Sequence, residues 1–286
     1  MGVPRDLVID LHTHSNASDG TDSPAGLVAA AAAAGVDVVA LTDHDTTAGW
    51  AEAGAAARRL GVVLVPGTEF SARSNGISVH LLSYLHDPAH QALVLQNAEV
   101  QAARTERARH MVDRLSRDYA ITWEDVLAQT EPGTTIGRPH IADALVALGY
   151  LTDRSAAFTS ILRPGTPYYV PHVAPDGIEV IRAVRDAGGV PVFAHPGADG
   201  RGRVVPDTVI EEMADAGLVG LEVRHRDNSQ AQQVRLAEIA RSLGLIMTGS
   251  SDYHGTGKPN RLAENTTHPD VFAQIEELGR SEVIRQ

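Results

Sequence analysis

Histidines and carboxylates recur in this chain in short, characteristic groupings. His12 and His14 stand in DLHTHSNASDG with Asp19 close behind, and His44 lies between two aspartates in TDHD. Glu69 follows in GTEF, His80 in SVHL, His195 in AHPG, Glu222 and His225 in LEVRH, and Asp252 and His254 in SDYHG. Imidazole nitrogens and carboxylate oxygens are the ligands that zinc, manganese and iron accept. Two histidines one residue apart on a strand point to the same side, so His12 and His14 can grip one ion together. Singly, each group has a plainer reading. H-x-H arises by chance, TDHD suits a turn with capping carboxylates, and Glu69 suits a loop acid. His80 suits a hydrogen-bonded core histidine, and His195 before proline suits a structural turn. Their joint placement is what accident does not explain, because they fall at or just beyond the ends of nearly every predicted strand. His86, His90, His110, His172 and His268 have no such placement and read as surface or packing residues.

The elements that must position these residues alternate. Apolar, β-branched runs predict strands at Leu7 to Leu11, Val36 to Thr42, Val62 to Val65, Ile77 to Leu85, Val190 to Ala194, Leu218 to Val223 and Leu245 to Gly249. Helices are expected between them. One follows Ser23 as N-cap, with Pro24 in the first turn and Gly35 as its stop; others span Trp50 to Leu60, Ile178 to Ala187, Asp207 to Ala216 and Gln230 to Leu243. This alternation predicts an α/β fold with a mostly parallel sheet, and seven strands approach the count of a closed β/α barrel. In a parallel barrel the C-terminal strand ends share one rim, which would gather ligands scattered along the whole sequence. From Pro88 to about Gly165 the pattern is helical only, with helices expected over Gln91 to Arg117, Trp123 to Gln129 and Pro139 to Leu148. The expected organisation is a barrel from 1–87 and 166–286 with a helical insertion, or cap, over 88–165.

Composition narrows the chemistry. The 286 residues are 43% hydrophobic but only 4% aromatic, so Ala, Val and Leu must fill the core. There is no cysteine, which excludes disulfides and zinc thiolate sites. The formal net charge of -12 argues against long nucleic acid and anionic membrane as partners, so any positive charge for a phosphate must be local. No apolar run approaches the ~20 residues that span a bilayer. The N-terminal MGVPRDLVID runs straight into a strand-like segment without a signal-type apolar region, and the expected location is cytoplasmic.

The segments DLHTHSNASDG, ALTDHDT, VPGTEFSA, ISVHLLSY, AHPG and GSSDYHG, in that order over nearly the whole chain, resemble the polymerase and histidinol phosphatase (PHP) family of metal-dependent phosphoesterases. The likeness is greatest to its stand-alone enzymes acting on nucleoside 3',5'-bisphosphates, 5'-monophosphates and short 5'-phosphorylated RNA. It implies a distorted seven-stranded β/α barrel with a helical insertion and two to three divalent ions (Mn, Fe or Zn). By resemblance the first ion falls to His12, His14, Glu69 and Asp252. The second falls to Glu69, His80 and His195, and the third to Asp19, His44 and His254. Some relatives carry histidine where Asp19 stands here. A small phosphorylated nucleotide or short oligonucleotide is the implied partner.

Charge favours phosphate over amide as the target. Three divalent ions against three carboxylates and one hydroxide leave two formal positive charges, which match a phosphate monoester dianion. The expected reaction is direct hydrolysis by a metal-bridging hydroxide, with His195 and His225 as catalytic candidates. His225 is the candidate acid for the leaving oxygen or else a substrate contact. Arg138 and His140 in GRPH, and Arg163 in ILRPG, are candidate substrate contacts, since arginine recognises phosphate through paired donors. Three alternatives stay open: a 5'-to-3' exoribonuclease on short RNA, an amidohydrolase, and a non-catalytic metal-binding module. Binuclear amidohydrolases often bridge their metals with a modified lysine; Lys258, the one lysine here, lies in the last loop, and Glu69 is the available bridge.

Overall fold

The structure is a computed structural model that describes residues 7–286; the first six residues of the MGVPRDLVID segment lie outside the described part. Seven strands stand side by side in chain order: β1 (Ile9–Thr13), β2 (Val38–Leu41), β3 (Val63–Ser74), β4 (Ile77–Tyr84), β5 (Val190–Phe193), β6 (Gly220–Arg224) and β7 (Ile246–Gly249). The sheet curls until it is nearly closed. At the rim, His14 N–H donates to the Tyr253 carbonyl beyond β7 at 2.8 Å, and Thr13 bridges Tyr253.

Strands β1–β3 run parallel, as do β5–β7. β4 is antiparallel to both neighbours, so the sheet is mostly parallel, as expected, and β4 alone points the other way. The cause is local. Asn75 and Gly76 join β3 to β4 with φ of 49° and 72°, the left-handed pair that a two-residue hairpin requires. The register then pairs Gly67 with Tyr84 through to Ser74 with Ile77, so β3 runs nine residues past the expected Val65. Glu69 therefore lies within a strand rather than beyond one, while His80 lies within β4 as expected.

Helices α1 (Pro24–Ala33), α2 (Trp50–Leu60), α7 (Gly177–Asp186), α8 (Asp207–Asp215), α9 (Gln230–Leu243) and α10 (Pro269–Leu278) surround the sheet. Ser23 caps α1 by accepting from Gly26 N–H at 3.0 Å. α10 was not anticipated from the sequence; His268 caps it by accepting from Asp270 N–H at 3.2 Å. Ile9, Leu11, Val38, Ala40, Val65, Leu82, Tyr84 and Val192 bury together with Phe272 and Ile275 of α10. Val39, Leu41 and Leu64 pack instead with Leu27 and Val28 of α1.

Between β4 and α7 the chain forms α3 (Gln91–Leu115), α4 (Trp123–Leu127), α5 (Arg138–Ala147) and α6 (Arg154–Thr159). These helices bury an apolar cluster of their own, including Met111, Leu115, Val126, Ile141, Leu145 and Leu162. Among the described residues, no helix is long and apolar enough to cross a membrane.

Candidate metal centre

His12 and His14, on β1 and just after it, direct their Nε2 atoms to one point, where the two nitrogens are 3.0 Å apart. Glu69 Oε2 lies 3.2 and 3.1 Å from them, and Asp252 Oδ1 lies 3.5 and 3.4 Å away. A second group joins His14 to Asp19, His44 and His254, with His254 Nε2 3.1 Å and His44 Nε2 3.8 Å from the Asp19 carboxylate. A third gathers on Glu69: His44 Nδ1 at 3.2 Å, His80 Nδ1 at 2.9 Å and His195 Nε2 at 3.2 Å. The structure thus brings all nine candidate ligands into one cluster, with His14, His44 and Glu69 each shared between groups. Apart from His80 and His195, which are partly exposed, the nine are buried.

The donor set fits divalent cations. His12 Nδ1 donates to Glu222 Oε1 at 2.9 Å, and His254 Nδ1 donates to the Asp252 carbonyl at 2.8 Å. In each ring this leaves the Nε2 lone pair facing the cluster. Two such lone pairs 3.0 Å apart, at His12 and His14, repel unless a cation or a proton lies between them. His44 Nδ1, His80 Nδ1 and His254 Nε2 are buried near carboxylate oxygens yet make no hydrogen bond with them. Proximity without hydrogen-bond alignment is what ligands aimed at a common centre produce.

Without a cation the buried imidazoles and carboxylates share protons. Burial opposes charge on His12, but Glu69, Glu222 and Asp252 hold its pKa well above the ordinary value. For His14, hydrogen bonds to Asp252 and Glu69 overcome burial and raise it to about 9. Burial alone would raise Asp19, Glu69 and Asp252; instead the surrounding imidazoles, and Lys258 beside Asp252, hold all three well below the usual carboxylate range. Burial lowers His195 to about 3 and His254 to about 4, so both are neutral and ready to ligate.

Other residues brace the cluster. Glu222 is fully buried and also accepts from His195 N–H at 2.7 Å and Ser250 Oγ at 2.5 Å. The sequence placed Glu222 only at a strand end, without a role. Asp43 accepts from Ser15 N–H, Ser15 Oγ and Ser18 Oγ at 2.6–2.8 Å, folding the loop that carries Asp19. Asp45, His195 and Asp252 adopt left-handed φ of 53°, 33° and 54°, strain concentrated at the cluster.

His225 also lines the cluster. Its Nδ1 accepts from Asp227 N–H at 3.1 Å, so the neutral ring carries its proton on Nε2, which lies 3.6 Å from Asp252 Oδ2. His225, Asp227 and Asp252 are close enough to hold an ion. The tautomer disfavours that, because a ligating Nε2 has no proton.

The candidate substrate residues separate. Arg138, at the start of α5, is half of a partly buried cationic pair. Its guanidinium lies over the Phe158 and Tyr169 rings at 5.1 and 5.6 Å, and burial lowers its pKa. Burial and then Arg138 lower Arg107 on α3 to about 10. Arg104, one turn earlier, forms an ion pair with the Asp45 carboxylate at 2.8 Å and donates to Ser71 Oγ at 2.5 Å. Ser71 pairs with His80 across β3–β4, which puts Arg104 on the His80 side of the cluster; burial lowers His172 to about 2, with Arg104, Arg107, His80 and Arg138 adding to the effect. Arg104 and Arg107 carry no sequence signal beyond a helical spacing. His140 is buried, and its Nδ1 accepts from Gly137 N–H at 3.0 Å. Arg163 is exposed and, among the described residues, makes no side-chain hydrogen bond or ion pair with the cluster.

Comparison with known proteins gives a consistent picture. The model of the PHP domain matches residues 10–124. The chain is 35% identical to a 3',5'-nucleoside bisphosphate phosphatase of Chromobacterium violaceum, over 90% of this chain and 91% of that protein. It is 33% identical to a phosphoribosyl 1,2-cyclic phosphate 1,2-diphosphodiesterase of Eggerthella lenta (87% and 95% covered) and to a 5'-3' exoribonuclease of Haemophilus influenzae (86% and 89%). Among solved structures, a Bifidobacterium adolescentis protein provisionally assigned as a metal-dependent phosphoesterase superposes with a TM-score of 0.95 at 46% identity, over 98% and 99% of the two chains. A Chromobacterium violaceum structure described as an amidohydrolase with bound sulfate and no metal gives 0.86 at 32% identity, over 98% of each.

Proposed function

Since this chain belongs to the PHP family and is a metal-dependent phosphoesterase, we propose that it hydrolyses a phosphate monoester of a small nucleotide bearing a second phosphate, a nucleoside 3',5'-bisphosphate first of all. The carrying observation is the half-buried group Arg104, Arg107 and Arg138: Arg104 donates to Ser71, which pairs with His80 across β3–β4, and Arg107 and Arg138 share the Tyr169 ring. One cleft then offers two places for anions, one at the cations and one at the guanidinium groups. A monophosphate needs only the first. The phosphatase of Chromobacterium violaceum supports the same choice of substrate.

In this reading two to three Mn, Fe or Zn ions are held as the ligand chemistry suggests. His12, His14, Glu69 and Asp252 hold the first, Glu69, His80 and His195 the second, and Asp19, His44 and His254 the third. Bound, such ions supply an activated water and neutralise charge on the phosphoryl group. Arg138 and Arg107 bind the remote phosphate, and stacking on Tyr169 fixes their planes. His225, with its Nε2–H directed into the cluster, donates that proton to the leaving oxygen. Residues 88–165 form the cap that carries Arg104, Arg107 and Arg138 and excludes water from the cleft.

A second reading, a 5'-3' exoribonuclease on short RNA, is favoured by the Haemophilus influenzae relative. The net charge of -12 confines it to a few nucleotides. The single lysine, Lys258, hydrogen bonds to Asp252 at 2.9 Å and bridges nothing, which weighs against a binuclear amidohydrolase. The test gives the purified chain adenosine 3',5'-bisphosphate, a 5'-phosphorylated short RNA and a neutral amide, with each metal and after chelation. Metal-dependent phosphate release, fastest from the bisphosphate, is expected. Turnover of the amide alone would overturn the reading.

A further inference from the structure

Arg201 ends a 3-10 turn (Asp199–Arg201) six residues after His195. Its Nη2 donates to Asp252 Oδ2 at 2.9 Å and pairs with the Asp227 carboxylate, and its Nη1 lies 3.4 Å from His195 Nε2. Lys258 Nζ reaches the same Asp252 oxygen at 2.9 Å, and His225 Nε2 approaches it at 3.6 Å. The two Asp252 oxygens are thus divided. Oδ1 faces His12 and His14, while Oδ2 meets two full positive charges and an imidazole N–H. Once Oδ1 serves a divalent ion, Asp252 has little charge left for either cation. A guanidinium beside two metal ligands, Asp252 and His195, would then face like charge with only Asp227 to hold it. Such a juxtaposition is stable when an anion lies between the cations. Gly200 and Gly202 flank Arg201, with open space where a Cβ would be, so the turn has room to adjust.

Resting on the phosphoesterase reading above, we propose that Arg201, tethered by Asp227, is a substrate contact that binds non-bridging oxygens of the phosphoryl group undergoing transfer. This site is separate from the Arg104, Arg107 and Arg138 group, which lies on the His80 side and takes the remote phosphate. Arginine suits the task because its planar fork offers two parallel donors to one phosphoryl group. Asp227 keeps the fork at the mouth of the cluster when no anion is present. The side chain is 37% exposed, so its replacement does not open the core.

The experiment uses metal-loaded protein with Arg201→Ala and Arg201→Lys. Binding of inorganic phosphate is measured by calorimetry, metal per chain by elemental analysis, and kcat and KM with adenosine 3',5'-bisphosphate. Arg201→Ala is expected to weaken phosphate binding at least tenfold with metal content unchanged, and Arg201→Lys to recover part of the loss. Phosphate affinity within twofold of the parent would overturn the proposal. So would a fall in metal content, which would make Arg201 a support for Asp252 instead. Failure of the parent protein to bind or release phosphate at all would defeat the phosphoesterase reading itself, a result distinct from an indifferent Arg201→Ala.

Discussion

Glu222 gives its carboxylate to His12 Nδ1, His195 N–H and Ser250 Oγ, so one buried side chain sets a ring tautomer and holds a left-handed backbone. Burial would raise its pKa, but His12 and then His225 lower it to about 2, and it stays charged. A carboxylate behind a ligating imidazole raises the basicity of that ring and fixes its orientation, an effect worth about 10–100-fold in metal affinity. Glu222→Gln is expected to weaken the tightest site by about that factor in a chelator-competition titration. Unchanged affinity would mean that Glu222 only fills space. The ligands themselves were legible because their types are rare and their spacing unusual. Glu222 was marked only by its place at a strand end, and its role was not legible because its partner His12 is 210 residues away.

His86 belongs to the scale of elements. It follows β4, lies against Trp50 and Phe70, and bonds to Ser83 Oγ through Nδ1 at 2.8 Å. Burial lowers its pKa to about 4, so it folds as a neutral ring. The sign follows from linkage. Below its unfolded pKa of 6.5 the unfolded chain binds the extra proton, so stability is full above about 6.5 and falls as pH drops toward 4. The loss reaches about 3 kcal/mol, since each tenfold drop in the proton affinity of the folded ring costs about 1.4 kcal/mol. In chelated protein, the stability difference between the parent and His86→Phe is expected to change by that amount between pH 7 and 4. A difference that stays constant across this range would refute the assignment. The elements also explain why β3 outruns its expected bounds. Asn75-Gly76 is a hairpin signal in the sequence, and it reverses β4 and brings His80 to Glu69 across the β3–β4 pair. The expected Val62 to Val65 strand missed it because period alone did not carry past Pro66 and Gly67.

At the scale of the molecule, the cluster packs buried acids and imidazoles drawn from both parallel strand sets, β4 and the loop after β7. Without cations these groups must share protons or repel, so metal binding and folding are coupled. A ligand present at a hundred times its Kd adds about 2.7 kcal/mol to stability. Chelation is therefore expected to lower the melting temperature by several degrees, and added Mn or Zn to restore it in a concentration-dependent way. A melting temperature indifferent to chelation would argue that the cluster is held by protons alone.

Residue types and their order in the chain, with the family resemblance they carry, were enough to read an α/β fold of seven strands, a cluster of nine candidate ligands and phosphoester chemistry. These follow from local propensity and from the joint placement of histidines and carboxylates at strand ends, which none of them carries singly. Two features were decided only by the folded chain: the sharing of His14, His44 and Glu69 among candidate ligand groups, and the convergence of Arg201, Lys258 and His225 on one Asp252 oxygen. Each depends on contacts between segments distant in sequence. Such contacts depend on how the sheet curls and where loops close, and no local pattern of residues encodes them.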